Sequence, residues 1–122
     1  MKVLFFSIAV CLALLSKQAV ASETFIEKVV ATTNAQGSYR FDVTLAHADK
    51  SWDHYANVWQ IETLQGEVLA KRVLLHPHIS EQPFTRSLAG VKLPKGIAQV
   101  VIIAGCTVDG MNSQRYTLQL KN

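Results

Sequence analysis

The sequence is short of cysteine, and this limits how a small fold can be held together. Only two of the 122 residues are cysteines, Cys11 and Cys106. Cys11 lies in an N-terminal apolar run with the features of a removable leader, so Cys106 would be left without an intramolecular disulfide partner. A chain of roughly 100 residues can instead be stabilised by one hydrophobic core. We therefore expect Cys106 to be buried, bound to a metal or bonded to another molecule.

Long apolar runs are also scarce, and the one present has the pattern of a secretory signal peptide. Lys2 precedes an apolar run over residues 3–15, and residues 19–21 form an Ala-Val-Ala cleavage motif. The run is shorter than the ~20 residues that span a bilayer. We expect cleavage near Ala21, no membrane span, and a single mature domain over residues 22–122. The expected location is the periplasm or the extracellular medium.

An excess of charge of one sign is absent as well. Lys2 and Lys17 leave with the leader, so ten Lys and Arg residues face nine Asp and Glu residues in the mature chain. A net charge near +1, with the basic residues scattered, does not favour binding to nucleic acid. The sequence also lacks a Gly-x-Ser-x-Gly nucleophile motif, a Gly-rich phosphate loop, and the C-x-x-C and H-E-x-x-H patterns.

Period-2 alternation dominates the mature sequence, and no segment shows a capped 3.6-residue period. Tyr39, Phe41, Val43 and Leu45 alternate with polar residues, which predicts a half-buried strand. The stretch 97–104 is almost continuously apolar and predicts a central strand covered on both faces. The strands are expected near residues 25–33, 39–45, 55–63, 67–75, 84–93, 97–104 and 115–120. About seven strands in this length predict an all-β, immunoglobulin-like antiparallel β-sandwich with loops clustered at one pole.

Several histidines and the cysteine lie outside these strand patterns, in predicted loops. His47 and His54 flank the loop before the third strand, and Cys106 follows the central strand. Imidazole and thiolate are ligands of iron, copper and zinc. The candidate metal ligands are therefore His47, His54, His76, His78 and Cys106. The competing interpretation is that the histidines cap turns or face solvent.

The segment 74–86 is unusually rich in rigid and titratable residues, with two of the four histidines and two of the three prolines. Proline restricts its own φ and favours an extended conformation at His76. Side chains at i and i+2 of an extended segment point the same way, so His76 and His78 are predicted to project together. The competing interpretation is that His76 and Pro77 end one strand and begin a stiff crossover between sheets. Neither alternative is excluded by the sequence.

A catalytic alternative without metal rests on residue types alone. Cys106, His54 and Asp53 would form a nucleophilic set if the fold placed the imidazole beside the thiol. No motif supports that arrangement. A further alternative is a binding module without metal, in which Trp52, Tyr55 and Phe84 contact a partner protein.

Two families resemble this sequence. Residues 52–56 (Trp-Asp-His-Tyr-Ala), 76–78 (His-Pro-His) and 81–88 (Glu-Gln-Pro-Phe-Thr-Arg-Ser-Leu) resemble motifs of a family of small, mostly uncharacterised exported bacterial proteins. That resemblance covers residues 45–110 and implies export without implying an activity. Members of the family often carry His-Asp-Ser-Val-His-Gly where this chain has Gly-Cys-Thr-Val-Asp-Gly at residues 105–110. Relative to that pattern the chain lacks two polar positions in this loop and has gained a thiol, so the resemblance carries no site over to it.

The second and more remote resemblance is to the superoxide reductases (desulfoferrodoxin and neelaredoxin). Their histidine-loop-His-Tyr segment is similar to His47 and residues 54–61, and their Cys-x-x-His-Gly motif is similar to residues 106–110. That family binds non-haem iron through four histidines and a cysteine on an immunoglobulin-like sandwich. His47, His54 and Cys106 match ligands, Asp109 stands at a ligand histidine, and no histidine precedes His47. The resemblance implies the sandwich fold, and a superoxide-reductase-like iron activity is the enzymatic hypothesis that it raises.

Two functional hypotheses follow for the mature domain. The first is a periplasmic protein that binds a transition metal (Fe, Cu or Zn) through the loop histidines and Cys106. The second is a non-catalytic module that binds another protein and holds no cofactor.

Overall fold

The computed structural model describes residues 23–121, which fold entirely from strands and loops. The predicted leader, with Cys11 and the cleavage position near Ala21, lies outside the described residues. Within residues 23–121 no helix is long and apolar enough to cross a bilayer. The eight strands are β1 (Phe25–Thr33), β2 (Tyr39–Ala46), β3 (Ala56–Glu62), β4 (Val68–Val73), β5 (Phe84–Val91), β6 (Gln99–Cys106), β7 (Gly110–Met111) and β8 (Tyr116–Gln119).

The strands form two antiparallel sheets. One sheet has the order β1-β2-β5, and the other has the order β4-β3-β6-β7 with β8 also paired to β6. The prediction of an all-β antiparallel sandwich is therefore confirmed. The two-residue strand β7 is an addition to the expected set of about seven. It hydrogen-bonds with the end of β6 after a tight turn in which Gly110 adopts a φ of 67°, a conformation that glycine adopts at little cost.

Strands β2 and β6 each contribute alternate residues to the core between the sheets. Phe41, Val43 and Leu45 are fully buried, as the period-2 pattern predicted. Strand β6 pairs with β3 on one side and with β7 and β8 on the other, so it is central. All of its residues after Gln99 are buried, and this explains its continuous apolar sequence.

Strand β3 differs from the expectation in which residues face inward. With unbroken period-2 alternation through the expected strand 55–63, Tyr55 and Asn57 would lie on the same face as Trp59 and Ile61. In the structure Tyr55 and Asn57 are only half-buried, whereas Ala56 is fully buried. A register shift between Ala56 and Val58, opposite the end of β6, changes the alternation here, because an extra residue in one strand turns the following side chains to the other face.

Three connections meet at one pole of the sandwich. The ends of β2, β4 and β6 lie there with the starts of β3 and β5, because Ala56 pairs with Cys106, Val58 pairs with Val73, and Leu45 pairs with Phe84. The pole therefore carries the loop 47–55, the connector (residues 74–83 between β4 and β5) and the turn 107–109. These connections contain every sequence-predicted ligand except Cys106, which ends β6.

Candidate metal centre

His47 extends the inward-facing side of β2 beyond the end of the strand. It comes two residues after Leu45, and it is 5% exposed. Its Nδ1 lies 2.5 Å from Oδ1 of Asp49, and its backbone N–H donates to Oε1 of Gln82 at 3.0 Å. The ring is therefore held in a fixed orientation at the end of the core.

His54 closes a short turn that begins at Ser51. Its backbone N–H donates to the Ser51 carbonyl at 3.1 Å, and its own carbonyl accepts from Lys50 at 2.9 Å. The turn places the His54 ring edge-on to His47, with centroids 5.1 Å apart and an interplanar angle of 69°. Among residues 23–121, Nε2 of His54 is one of the few buried side-chain polar atoms that have no hydrogen-bond partner. An unsatisfied buried nitrogen is costly, and a bound ion would satisfy it.

Cys106 is the last residue of β6, and it follows Ala104 in the alternation of that strand. It is 1% exposed. The backbone N–H of Asp109 approaches the sulfur at 3.3 Å, and Oδ2 of the same residue lies 3.8 Å from it. The turn after β6 thus wraps around the thiol.

These three residues bring two nitrogens and a sulfur together at the pole. One ligand atom from each of His47, His54 and Cys106 lies within 4.8 Å of the others. A tetrahedral zinc ion with bonds of about 2.0–2.3 Å holds its ligand atoms roughly 3.3–3.7 Å apart, so the donors need to close by only about 1 Å. Because His47 follows β2 and Cys106 ends β6, an ion bound here would join the two sheets.

Asp49 supports this cluster and is the residue that sequence reasoning missed. Its side chain is fully buried. Oδ1 contacts His47 and accepts from the backbone N–H of Ala56 at 2.9 Å, while Oδ2 accepts from the backbone N–H of His78 at 2.8 Å. The available signal was the spacing of His47 and Asp49, which continues the inward alternation of β2 by two more steps.

The histidines of the connector lie outside the three-donor group, which consists of His47, His54 and Cys106. His78 is buried, and its ring stacks on Phe84 at a centroid distance of 3.9 Å. Its Nε2 lies 2.6 Å from a guanidinium nitrogen of Arg86. Burial, followed by the positive charge of Arg86, lowers the pKa of His78 below the ordinary histidine value. A neutral His78 whose Nε2 accepts from Arg86 is therefore part of the packing under the connector.

His76 is exposed, and its ring lies beside that of His78 with centroids 4.5 Å apart. Its Nδ1 is 3.1 Å from the Pro77 carbonyl. The two rings thus lie close together, but only His76 faces solvent and the Nε2 of His78 contacts Arg86. Nδ1 of His78 has no hydrogen-bond partner within the described part of the chain but is buried, so this arrangement does not present a pair of solvent-accessible nitrogens to one ion.

The remaining sequence candidates occupy different environments. Asp53 is exposed, and its backbone contacts Ser51 and Thr107, so it belongs to the turn. Trp52 is 67% exposed and packs edge-on against the half-buried Tyr55, whereas Phe84 is 5% exposed and belongs to the core. Of the three aromatic candidates for a protein contact, Trp52 is the one that is mainly exposed.

Comparisons with known proteins found few similar sequences and no similar solved structure. No protein-family model matches the sequence, and no solved structure matches it. The chain is similar to a protein of Halomicrobium mukohataei named "Putative lipoprotein", with 50% identity over 82 residues. The match covers 67% of this chain and 40% of that relative, so the chain spans less than half of the relative's length.

Proposed function

We propose that this chain is an exported β-sandwich protein that binds one transition-metal ion through His47, His54 and Cys106. The observation that carries the proposal is the convergence of the three ligand atoms within 4.8 Å at one pole. The buried and unsatisfied Nε2 of His54 supports it, because a protein rarely leaves such an atom without a partner.

The ligand set indicates the class of metal. Two imidazoles and a thiolate suit zinc, copper and iron, whereas calcium and magnesium require oxygen ligands. Three protein ligands leave a fourth position for water, a substrate or another protein's ligand. Asp49 would orient His47 from behind, as carboxylates commonly do for metal-bound histidines. Storage, delivery and redox use of the ion are all compatible with this set.

Export is supported by two independent features. The N-terminal segment has the charge, apolar run and Ala-Val-Ala motif of a signal peptide, and the Halomicrobium relative carries the name of a lipoprotein. The proposed location is the periplasm. We also propose that the strands of the sandwich have an immunoglobulin-like arrangement.

Competition binding with ligand variants tests the proposal. Purified protein is titrated with Zn²⁺, Co²⁺ and Cu⁺ against chelators of known affinity. His54→Ala and Cys106→Ser are expected to weaken binding at least 100-fold, because each removes one of three protein ligands. His76→Ala is the matched control, since this exposed histidine lies outside the three-donor group. Equal affinities in all four proteins, or no binding by the wild type, would reject the proposal.

The exposure of Trp52 favours a second candidate, a protein-binding module without metal. Trp52 is 67% exposed beside Tyr55 at the same pole, and tryptophan is enriched among residues that dominate interface energies. Trp52→Ala would then abolish capture of a partner while leaving metal content unchanged. Loss of capture only after metal removal would favour the first function.

A further inference from the structure

Asp49 links three separate segments of the pole through one buried carboxylate. Its partners are the His47 ring, the backbone N–H of Ala56 at the start of β3, and the backbone N–H of His78 in the connector. The side chain of Asp49 is 0% exposed. A buried carboxylate is tolerated when donors such as these surround it, so the three segments and Asp49 stabilise each other's positions.

The contact with His47 decides which nitrogen of that ring can bind a metal. A carboxylate oxygen that already accepts from Ala56 also accepts from Nδ1 of His47, and the Nδ1–H tautomer has its lone pair at Nε2. A metal on Nε2 makes Nδ1–H a stronger donor, and the hydrogen bond to a carboxylate becomes charge-assisted. Metal binding therefore strengthens the His47–Asp49 contact, and that contact in turn favours metal binding.

The connector shares this carboxylate and has a second link to the same loop. Gln82 accepts from the backbone N–H of His47 at 3.0 Å and donates to the His78 carbonyl at 2.8 Å. Residues 47 and 49 are thus bonded to both ends of the segment 78–82. Any change in the position of the His47 ring or of Asp49 acts on the hydrogen bonds that hold this segment.

We propose that Asp49 is the positioning residue of the metal centre and that it couples metal occupancy to docking of the connector. The inference rests on the proposed metal function. When the ion binds, Asp49 is held more firmly, and its bond to the His78 N–H opens less often. Coupling is reciprocal, so a docked connector raises the affinity of the site for the ion.

Amide hydrogen exchange and zinc affinity test the coupling together. In wild-type protein, saturation with Zn²⁺ is expected to slow exchange of the His78 amide at least fivefold, which is the low end of typical couplings between sites. Nitrogen chemical shifts are expected to show His47 with its proton on Nδ1. Both measurements use the unmodified protein and need no variant.

Asp49→Asn supplies the variant arm, with Asp53→Asn as the matched control. The side-chain amide that Asp49→Asn introduces has a donor in place of one accepting oxygen, so the variant loses either the contacts of Oδ1 with His47 and the Ala56 N–H or the contact of Oδ2 with the His78 N–H. We expect zinc affinity to fall about 10–100-fold, as it does when other residues that hydrogen-bond metal-bound histidines are replaced. We also expect zinc to slow hydrogen exchange of the His78 amide less than twofold in this variant. Asp53 is exposed, and its variant should keep both wild-type values.

The outcomes separate the two proposals. A wild type that binds no zinc overturns the metal function and the coupling with it. A wild type that binds zinc without slowing exchange at His78 overturns the coupling alone. An Asp49→Asn protein with wild-type zinc affinity and wild-type slowing of exchange at the His78 amide also overturns the coupling. The coupling is supported if Asp49→Asn loses both zinc affinity and the zinc-dependent slowing at His78, with His47 shifted to the Nε2–H tautomer or the His78 amide unprotected.

Discussion

Metal binding at this pole should raise the thermal stability of the domain by an amount that mass action defines. His47 belongs to the end of β2 and Cys106 to the end of β6, which lie in different sheets. An ion that binds the folded state alone stabilises it by about 2.7 kcal/mol at a free concentration of 100 times Kd. For a domain of roughly 100 residues, each kcal/mol moves Tm by about 4–8 °C, so we expect a rise of roughly 10–20 °C.

The assay is thermal unfolding, followed by circular dichroism in zinc buffers that fix the free ion concentration. The rise should grow with the logarithm of free zinc above Kd. Cys106→Ser should show less than a quarter of the rise, whereas His76→Ala should match the wild type because it leaves the three donors intact. A wild-type Tm that does not respond to zinc would refute the reasoning, and so would an equal rise in Cys106→Ser.

Three further predictions concern the pole and the core that supports it. Because the pKa of His78 is lowered in the folded state, first by burial and then by Arg86, the unfolded chain takes up the proton first as pH falls below about 6.5. The free energy of unfolding should therefore decrease as pH falls below that value. Urea unfolding between about pH 5 and 7.5 should show a smaller decrease for His78→Gln than for the wild type. Equal pH dependence in the two proteins would contradict this prediction. Gly105→Ala should cost about 1–3 kcal/mol, because its Cβ would lie 2.7 Å from the Gly110 carbonyl oxygen, and a variant with wild-type urea stability would count against the β6–β7 geometry. Phe41→Ala should cost about 3–5 kcal/mol in the same assay, since the ring is fully buried, and a loss below about 1 kcal/mol would mean that this part of the core is misassigned.

The local sequence pattern was sufficient to predict a strand where that strand has one buried and one polar face. The alternation of Phe41, Val43 and Leu45 predicted β2, and the apolar run predicted the central position of β6. Pattern failed where pairing changes the register, as at Ala56, because a bulge depends on the partner strand and has no fixed signature in a single sequence. The strand β7 was missed because two residues are too few to show a period.

The candidate site shows the same division between local and tertiary information. His47, His54 and Cys106 were named because of their chemistry, and the ends of β2 and β6 and the start of β3 bring them to one pole. The sequence did not separate these residues from His76 and His78. That separation depends on side-chain contacts that only the folded chain forms: Asp49, 29 residues earlier in the sequence, binds the His78 N–H, and Gln82 and Arg86 hold His78 with its ring stacked on Phe84.

The most direct test of the metal centre is X-ray absorption spectroscopy of the protein loaded with one equivalent of zinc. The three-donor group predicts one sulfur at about 2.3 Å and two imidazole nitrogens at about 2.0–2.1 Å, with one further light ligand. The sulfur shell should vanish in Cys106→Ser. A first shell of oxygen and nitrogen alone in the wild type would contradict the assignment of His47, His54 and Cys106 as the ligands.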